Sequence, residues 1–314
     1  MHADYAAARA VPPGTGATGW LERLMMVRSV LEWSAPVSAV AAKVETNLSL
    51  AEGLHAELLT GFTGVRITGT PIPQMSDGQV AEVQRLVSEY CVGAFPDQHL
   101  GAKEHVEFMA RLGAVMITPG VDAHPDHPDV NIVANPGLGG PKSGGFHTDT
   151  CFVERPPAYT SLSGVEVPQH GGDTLFANQY VAYDTLSDVL RGWLDGLELK
   201  HVVTGTARPE EVPNPVWHPA VRMNPVTGRK ALYVTLIERC HEAKGMTASE
   251  SRHLLEFLYK HSQAQHATYR HRWLPGDFVM WDNRCALHSA TYDHGDQPRT
   301  LYRVMVEGEV PFER

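Results

Sequence analysis

The amino-acid sequence predicts a mostly β protein with flanking helices (α+β), in which short strands close into a barrel or jelly roll. Runs rich in β-branched and aromatic residues, separated by turn residues, occupy positions 146–153, 158–165, 173–177, 231–235, 277–281 and 299–306. Helical periodicity interrupts these runs at 180–190 and at 248–261. Many short strands with few helices between them favour a barrel or jelly roll over a doubly wound sheet.

The first part of the chain differs in composition from the rest. Residues 1–58 are alanine-rich and of mixed polarity, with one helix-like segment at 20–33. Strand-like and helix-like patterns become regular only after this region. We therefore predict an N-terminal extension over 1–58 and one barrel domain over 59–314.

Three elements are expected before the main run of strands. Residues 65–68 alternate like a strand, and 77–90 and 102–112 have helical periodicity, with Asp77 as the expected N-cap of the first helix. Gly, Pro and Asn then dominate 119–145. A stretch of this length and composition predicts a long loop, and long loops in compact domains are usually functional or disordered.

Composition and charge restrict the classes of partner. The chain has 314 residues, is 43% hydrophobic and carries a formal net charge of -10. This acidic balance argues against nucleic acid or an acidic membrane surface as a partner, because phosphate binding requires clustered Lys and Arg. The chain contains no apolar run of about 18 residues and no signal-peptide pattern, which predicts a cytoplasmic protein. A small-molecule substrate is the expected partner, and a homo-oligomer stays open.

One of the histidines lies in a pattern that favours metal binding. Histidine and aspartate stand two residues apart at five places among the 17 histidines, so the spacing alone is weak evidence. Four of these pairs fall at the terminus or beside Pro or Gly in loops. His147 and Asp149 instead lie in a predicted strand, where residues two apart share a face, and Cys151 shares it too. The pair can bind one ion together, or it is a hydrogen-bonded histidine beside a capping aspartate.

A second candidate ligand lies near the C-terminal end. His288 precedes a turn rich in Asp, His and Gly, after which Arg299 and Arg303 share one face of a predicted strand. Taken alone, His288 is equally well explained as a buried histidine that the backbone satisfies. With His147 and Asp149 it completes two imidazoles and one carboxylate, the facial triad of non-haem Fe(II) oxygenases. The open face of such a site attracts a bidentate oxo acid, whose far carboxylate an arginine can hold by a two-pronged hydrogen bond.

Several motifs follow one another between about residues 64 and 311: His147-Thr148-Asp149, Gly171-Gly172-Asp173-Thr174, Leu232-Tyr233-Val234, Trp281-Asp282-Asn283-Arg284 with His288, and Arg299 and Arg303. In this order they resemble the taurine dioxygenase and 2,4-D dioxygenase family of Fe(II)/2-oxoglutarate oxygenases. The resemblance covers most of the chain. It implies a double-stranded β-helix of the cupin-like jelly-roll type. It also implies Fe(II) held by His147, Asp149 and His288, with 2-oxoglutarate as co-substrate and O2 as oxidant.

The resemblance also implies two anion sites. Arg299 and Thr174 are expected to bind the 5-carboxylate of 2-oxoglutarate, and Arg303 matches the position that grips the sulfonate in the taurine enzyme. The spacing of the two arginines independently favours two separate anions. Arg299 and Arg303 lie four apart on one strand face, roughly 13 Å at about 3.3 Å per residue, too far to bind one small carboxylate together easily. Alternatively, Arg303 forms a surface salt bridge and Thr174 is a turn hydroxyl bonded to its own backbone.

The implied reaction couples decarboxylation of 2-oxoglutarate to succinate and CO2 with oxidation of an unactivated C–H bond of a small, anionic substrate. Hydroxylation is the expected outcome, although desaturation, cyclisation and other rearrangements use the same machinery. Related halogenases replace the carboxylate at the position of Asp149 with a small residue, so halogenation is not expected. A zinc-type metal hydrolase on the same barrel is one alternative, although it leaves Arg299 unexplained. A binding protein without turnover is another.

Two features depart from the taurine enzyme and bear on the substrate. Cys151 stands where relatives often have threonine, either shaping the pocket or acting as a small buried hydrophobe. The glycine-rich loop at 137–145 offers only Lys142 and Ser143 as polar substrate contacts, and we expect it to be a mobile lid. A plain flexible connection is the alternative for this loop.

Overall fold

Strands dominate the part of the chain that the structure describes, residues 50–118, 123–135, 145–204 and 215–313. The structure is a computed structural model. In chain order its strands are β1 (Leu54–Leu58), β2 (Val65–Gly69), β3 (Val92–Phe95), β4 (Val115–Met116), β5 (Ala123–His124), β6 (His127–Asn135), β7 (Pro157–Glu166), β8 (Thr174–Asn178), β9 (Glu198–His201), β10 (Val216–Pro219), β11 (Val221–Met223), β12 (Lys230–Leu232), β13 (Cys240–Ala243), β14 (Thr268–His271), β15 (Phe278–Asp282), β16 (Ala286–Ala290) and β17 (Arg299–Glu307). Its helices are α1 (Asp77–Tyr90), α2 (Ala102–Ala110), α3 (Gln179–Asp184), α4 (Asp188–Leu194) and α5 (Ala248–His261), with single 3-10 turns at Ile72–Gln74 and Gln265–Ala267.

Most of these strands belong to two sheets that carry the site. The larger sheet has the order β1-β2-β3-β15-β7-β17-β6-β5, with β4 also paired to β17, and is antiparallel except for β2 and β3. The smaller sheet has the order β14-β8-β16. A three-stranded sheet β10-β9-β13 and a pair β11-β12 lie beside them. Within the described ranges, no helix is long and apolar enough to cross a bilayer.

The core is built in two layers on either side of the larger sheet. Strand β15 is buried on both faces, so its residues alternate between the layers: Phe278 and Met280 face the layer shared with α1 and α2, whereas Val279 and Trp281 face the smaller sheet. The rings of Trp281 and Phe176, on β15 and β8, have centroids 5.5 Å apart. Two facing antiparallel sheets with helices outside confirm the predicted fold class, a double-stranded β-helix or jelly roll.

Local sequence signals explain where α1 begins and ends. Ser76 is the N-cap and forms a reciprocal capping box with Gln79, whose side chain accepts from the Ser76 backbone N–H at 2.8 Å. Val83 and Leu86 are fully buried at helical spacing. The helix stops at Cys91, whose φ of 71° is left-handed. The prediction that Asp77 is the N-cap is wrong by one residue, because the hydroxyl of Ser76 accepts from the backbone N–H of Gln79.

Most predicted elements are confirmed within a residue or two. Helices α1 and α5 have the predicted bounds, and α2 ends two residues earlier than expected. Strands β2, β7, β8, β15 and β17 occupy the runs that alternation and β-branched content indicated. The run at 231–235 forms only the short β12. The helix expected at 20–33 lies outside the described residues.

Three predictions about regular structure are wrong. Residues 146–153 do not form a strand, because only His147 pairs and Thr150 adopts a left-handed φ of 42°. The helix expected at 180–190 is two helices, since Ser187 begins α4 as a new N-cap. The loop expected at 119–145 contains the hairpin β5-β6. The short apolar run at 130–133 within this loop pairs with β17, a partner that local sequence does not reveal.

The division of the chain at residue 58 stays a prediction, because residues 1–49 lie outside the described part. Residues 54–58 form β1, which pairs with β2 along its whole length from Leu54↔Gly69 to Leu58↔Val65. The larger sheet therefore begins before the predicted boundary.

The α1 cap allows a stability prediction. Replacing Ser76 by alanine removes the hydroxyl that accepts from the Gln79 N–H, and we expect a loss of about 1 kcal/mol in the free energy of unfolding. Urea denaturation followed by circular dichroism measures this loss. Ser249→Ala, in the first turn of α5 behind the true cap Thr247, is the matched control and should change stability by less than about 0.5 kcal/mol. Equal effects of the two substitutions would contradict the capping assignment.

Candidate metal centre and co-substrate site

Two histidines from distant parts of the chain face each other across a short antiparallel bridge. The backbone N–H of His147 donates to the carbonyl of His288 at 2.9 Å, and the N–H of His288 donates to the carbonyl of His147 at 2.8 Å. Residues directly opposite each other in an antiparallel pair have neighbouring side chains on one face. The two imidazole rings therefore lie side by side, with centroids 4.3 Å apart.

Asp149 completes the group from the turn that follows the bridge. Its Oδ1 lies 3.9 Å from Nε2 of His147 and 3.7 Å from Nε2 of His288. Both distances exceed a hydrogen bond. One donor atom from each residue lies within 4.8 Å of the other two. Atoms that each bond at roughly 2 Å to one ion lie about 3 to 4 Å apart, so this spacing suits three ligands of a single metal.

The protonation states of the three side chains also fit a divalent transition metal. Burial lowers the pKa of His147 and lowers the pKa of His288 to about 3, so both imidazoles are neutral near pH 7. Burial alone would raise the pKa of Asp149, but electrostatic interaction with the His288 side chain and with the Arg303 guanidinium brings it down to about 2. Nδ1 of His147 donates to the carbonyl of Gly145 at 3.1 Å, which leaves its Nε2 lone pair free for a metal.

A buried guanidinium lies at the start of strand β17 in the larger sheet. Arg299 is 2% exposed, and it donates from Nε to the carbonyl of Gly172 at 2.8 Å and from Nη2 to Oγ1 of Thr174 at 3.4 Å. A Cβ on Gly172 would lie 3.0 Å from Cδ of Arg299, so glycine permits this approach. Trp273 donates from Nε1 to the same Thr174 oxygen at 3.0 Å. Burial lowers the pKa of Arg299 to about 10, and among the described residues no carboxylate forms an ion pair with it.

Arg303 reaches the candidate metal site itself. Its Nη1 lies 3.7 Å from Oδ1 of Asp149, and its Nη2 donates to Oγ1 of Thr118 at 3.1 Å and to Oδ1 of Asn131 at 3.2 Å. The Arg303 side chain is 15% exposed. It is therefore not the surface ion pair that the sequence left open as an alternative.

Residues 55–305 of the chain match the family described as "Taurine catabolism dioxygenase TauD, TfdA family". The chain belongs to this family. It is 32% identical over 300 residues to an alpha-ketoglutarate-dependent sulfate ester dioxygenase of Pseudomonas putida, covering 85% of this chain and 95% of the relative. It is also 32% identical over 286 residues to an alpha-ketoglutarate-dependent sulfonate dioxygenase of Saccharomyces cerevisiae, covering 83% and 68%. The crystal structure of a taurine dioxygenase from Burkholderia xenovorans superposes with a TM-score of 0.74 at 31% identity, over 83% of this chain and 93% of that one.

The comparisons confirm the predicted enzyme class. The chain is an Fe(II)- and 2-oxoglutarate-dependent dioxygenase that consumes O2. The three side chains that the sequence selected as ligands meet in one place, as described above. Lys142 and Ser143, the predicted substrate contacts, lie outside the described residues, as does most of the loop expected to be a mobile lid.

Cys151 does not supply a reactive thiolate to the dioxygenase's candidate metal site. It is fully buried, and burial raises the pKa of its thiol to about 12. The expected face shared by His147, Asp149 and Cys151 is absent, because the chain turns at Thr150 instead of continuing as a strand. His147 and Asp149 still converge, since the bridge fixes the first and the turn redirects the second.

Some residues near the dioxygenase's site were not found from the sequence. The positive charge of Arg239 lowers the pKa of His147 and His288, although less than burial does. Arg239 lies in a loop after β12 without periodicity or motif, so no signal indicated it. The hydroxyl of Thr160 donates to Oδ2 of Asp149 at 2.9 Å. The signal available for Thr160 was a polar residue within the predicted strand at 158–165.

The lowered histidine pKa values predict how the metal affinity of the dioxygenase depends on pH. Protonation of an imidazole competes with metal binding, and a lowered pKa shifts that competition to lower pH. We expect Mn(II) affinity to change less than about fivefold between about pH 7.5 and 5.5, whereas two ligands with the ordinary pKa of about 6.5 would lose roughly 100-fold. Electron paramagnetic resonance of free Mn(II) measures the affinity. A loss that approaches the larger figure would contradict neutral, buried ligands.

Proposed function

We propose that the dioxygenase binds Fe(II) through His147, Asp149 and His288, and anchors 2-oxoglutarate with Arg299 and Thr174. We further propose that it hydroxylates a C–H bond of a small substrate that carries a sulfonate or sulfate ester group. The observation that carries this proposal is a buried guanidinium without an ion-paired carboxylate. It is bonded to Thr174, which shares a sheet face with His288, one of the three converging side chains.

The charge of Arg299 explains why a dicarboxylate fits. Removing a cation from water costs several kcal/mol unless an anion or hydrogen bonds compensate it. The carbonyl of Gly172 and the hydroxyl of Thr174 supply only neutral partners. A bound carboxylate would supply the missing negative charge through a two-pronged hydrogen bond.

The register between β8 and β16 supports the same ligand. His288 lies opposite Phe176, and Ala290 lies opposite Thr174, so the side chains of His288 and Thr174 share one face two residues apart. That separation is roughly 7 Å at about 3.3 Å per residue. A five-carbon keto acid can span it, with its keto-acid end at the metal and its far carboxylate at Arg299.

Each residue then has a defined task. When bound, Fe(II) supplies the redox chemistry that couples decarboxylation of 2-oxoglutarate to oxidation of the substrate. Asp149 supplies one negative charge and the two neutral imidazoles supply none, so the centre keeps a net positive charge that attracts the keto acid. Trp273 and Phe176 enclose the co-substrate side with apolar surface and limit access of water.

Arg303 supports an anionic substrate. Its guanidinium is mostly buried, lies beside the metal ligands and is separate from Arg299. The sulfate ester, sulfonate and taurine dioxygenases that resemble this chain are named for substrates with a sulfur oxyanion. A sulfonate or sulfate group presents three oxygens to a guanidinium and stays ionised at any physiological pH. Carboxylates and phosphonates are the weaker candidates.

The alternatives from the sequence make different demands on the site. A zinc-type hydrolase needs no buried cation at the position of Arg299, and a binding protein needs no open metal face. Desaturation or cyclisation would use the same residues, so the outcome at the carbon stays a prediction. The cytoplasmic location and the state of oligomerisation stay predictions as well.

A substrate screen tests the proposed function. The Fe(II)-loaded enzyme is incubated with 2-oxoglutarate, O2 and matched sets of alkyl sulfonates, sulfate esters, carboxylates and neutral alcohols, and succinate is measured. We expect stimulation by sulfonates or sulfate esters, and a loss of roughly 10- to 100-fold in their kcat/KM in Arg303→Met, because a charge-assisted contact is removed. Succinate release that no compound stimulates would contradict the proposal, and O2-independent ester cleavage by Zn(II)-loaded protein would support the hydrolase.

A second variant tests the co-substrate anchor. Arg299→Met keeps the length of the side chain but removes its charge, and we expect 2-oxoglutarate to bind the Mn(II)-loaded protein roughly 10- to 100-fold more weakly. Anaerobic calorimetry measures this affinity. Arg252→Met, a change at an exposed arginine on α5, serves as the control and should leave it unchanged. Wild-type affinity in Arg299→Met would mean that the carboxylate binds elsewhere.

A further inference from the structure

Two buried side chains, Asn283 and Thr160, connect Trp281 to the carboxylate of Asp149. Nε1 of Trp281 donates to Oδ1 of Asn283 at 3.1 Å, and Nδ2 of Asn283 donates to Oγ1 of Thr160 at 2.8 Å. The hydroxyl of Thr160 then donates to Oδ2 of Asp149 at 2.9 Å. The backbone N–H of Asp149 in turn donates to Oδ1 of Asn283 at 3.4 Å. Asn283, Thr160 and Asp149 form a closed ring of hydrogen bonds, into which Trp281 donates.

The donors in this ring allow only one direction of hydrogen bonding. An indole N–H is a donor and never an acceptor, so the atom of Asn283 that faces Trp281 is the carbonyl oxygen. The amide nitrogen of Asn283 therefore faces Thr160 and donates to its oxygen. Since the Thr160 hydroxyl has one hydrogen and already accepts at its oxygen, that hydrogen points to Asp149.

The two oxygens of Asp149 are consequently not equivalent. Oδ2 accepts the hydrogen bond from Thr160, whereas Oδ1 faces the imidazoles of His147 and His288. We propose that Thr160 and Asn283 are positioning residues that present Asp149 to the metal through Oδ1 alone. This inference rests on the proposed metal site. Holding the carboxylate to a single oxygen keeps the remaining coordination positions free for the keto acid and O2.

Burial makes this arrangement firm. Thr160 is 0%, Trp281 1% and Asn283 2% exposed, so water does not compete for their hydrogen bonds. The ring of Trp281 also packs on His288, with centroids 4.6 Å apart. The residue that orients Asn283 thus contacts a second candidate ligand. Outer partners of metal ligands typically contribute about 10- to 100-fold to metal affinity.

Mn(II) binding to the metal-free protein, measured by electron paramagnetic resonance without O2, tests the proposal. We expect Thr160→Val and Thr160→Ala to weaken Mn(II) binding about 10-fold or more, and Thr160→Ser to stay within about threefold of the wild type. Serine and alanine differ only in the hydroxyl, so this pair decides the question even if the valine variant does not fold. Thr63→Val is the matched control, because Thr63 is fully buried and its hydroxyl donates to the Ala267 carbonyl at 2.9 Å.

Each outcome has a distinct meaning. Wild-type Mn(II) affinity in folded Thr160→Ala would overturn the positioning role. So would an equal loss in Thr160→Ser and Thr160→Ala, which would indicate packing, or an equal loss in Thr63→Val, which would indicate general destabilisation. Thermal denaturation of the metal-free variants reports folding separately. A wild-type protein that binds no Mn(II) would instead refute the proposed metal site, and the positioning role with it.

Discussion

The antiparallel bridge between His147 and His288 is the contact on which the rest of the site depends. Two backbone hydrogen bonds join segments that lie far apart in sequence and set both imidazoles on one face. Because β16 is locked to β8 in a continuous register, the same bridge also fixes the distance from the histidines to Thr174. A shift of one residue would turn the ligands to the opposite face. The jelly roll thus positions the site through backbone pairing.

Buried charge sets the second constraint. Asp149, Arg299 and Arg303 are all removed from most of the solvent, and each needs a partner to offset its desolvation. Asp149 has Arg303 and the hydroxyl of Thr160. Arg299 donates to neutral hydrogen-bond acceptors, and burial lowers the pKa of its guanidinium. Because the dioxygenase uses the dianion 2-oxoglutarate as co-substrate, a carboxylate of that ligand can compensate a cation of this kind.

Local sequence signals predicted many of the helices and strands. Helices α1 and α5 follow from periodicity and capping, and β15 and β17 follow from continuous or alternating apolar runs. The failures share one cause. The segment at 146–153 has the composition of a strand, but it pairs at a single residue and then turns at Thr150. The apolar run within β6 is a strand only because β17 lies beside it. Pairing partners are tertiary facts that a local window of sequence does not contain.

The sequence by itself determined the chemistry of this protein. Two histidines, an aspartate and an arginine suit an Fe(II)/2-oxoglutarate dioxygenase, and the ordered motifs that resemble the taurine dioxygenase family favoured it over a metal hydrolase. Only the tertiary structure decided the geometry and the electrostatics. The burial of Arg299, the contact of Arg303 with Asp149, and the ring through Thr160 and Asn283 depend on distances between segments more than 100 residues apart. No local pattern records those distances, since they arise from how the sheets close.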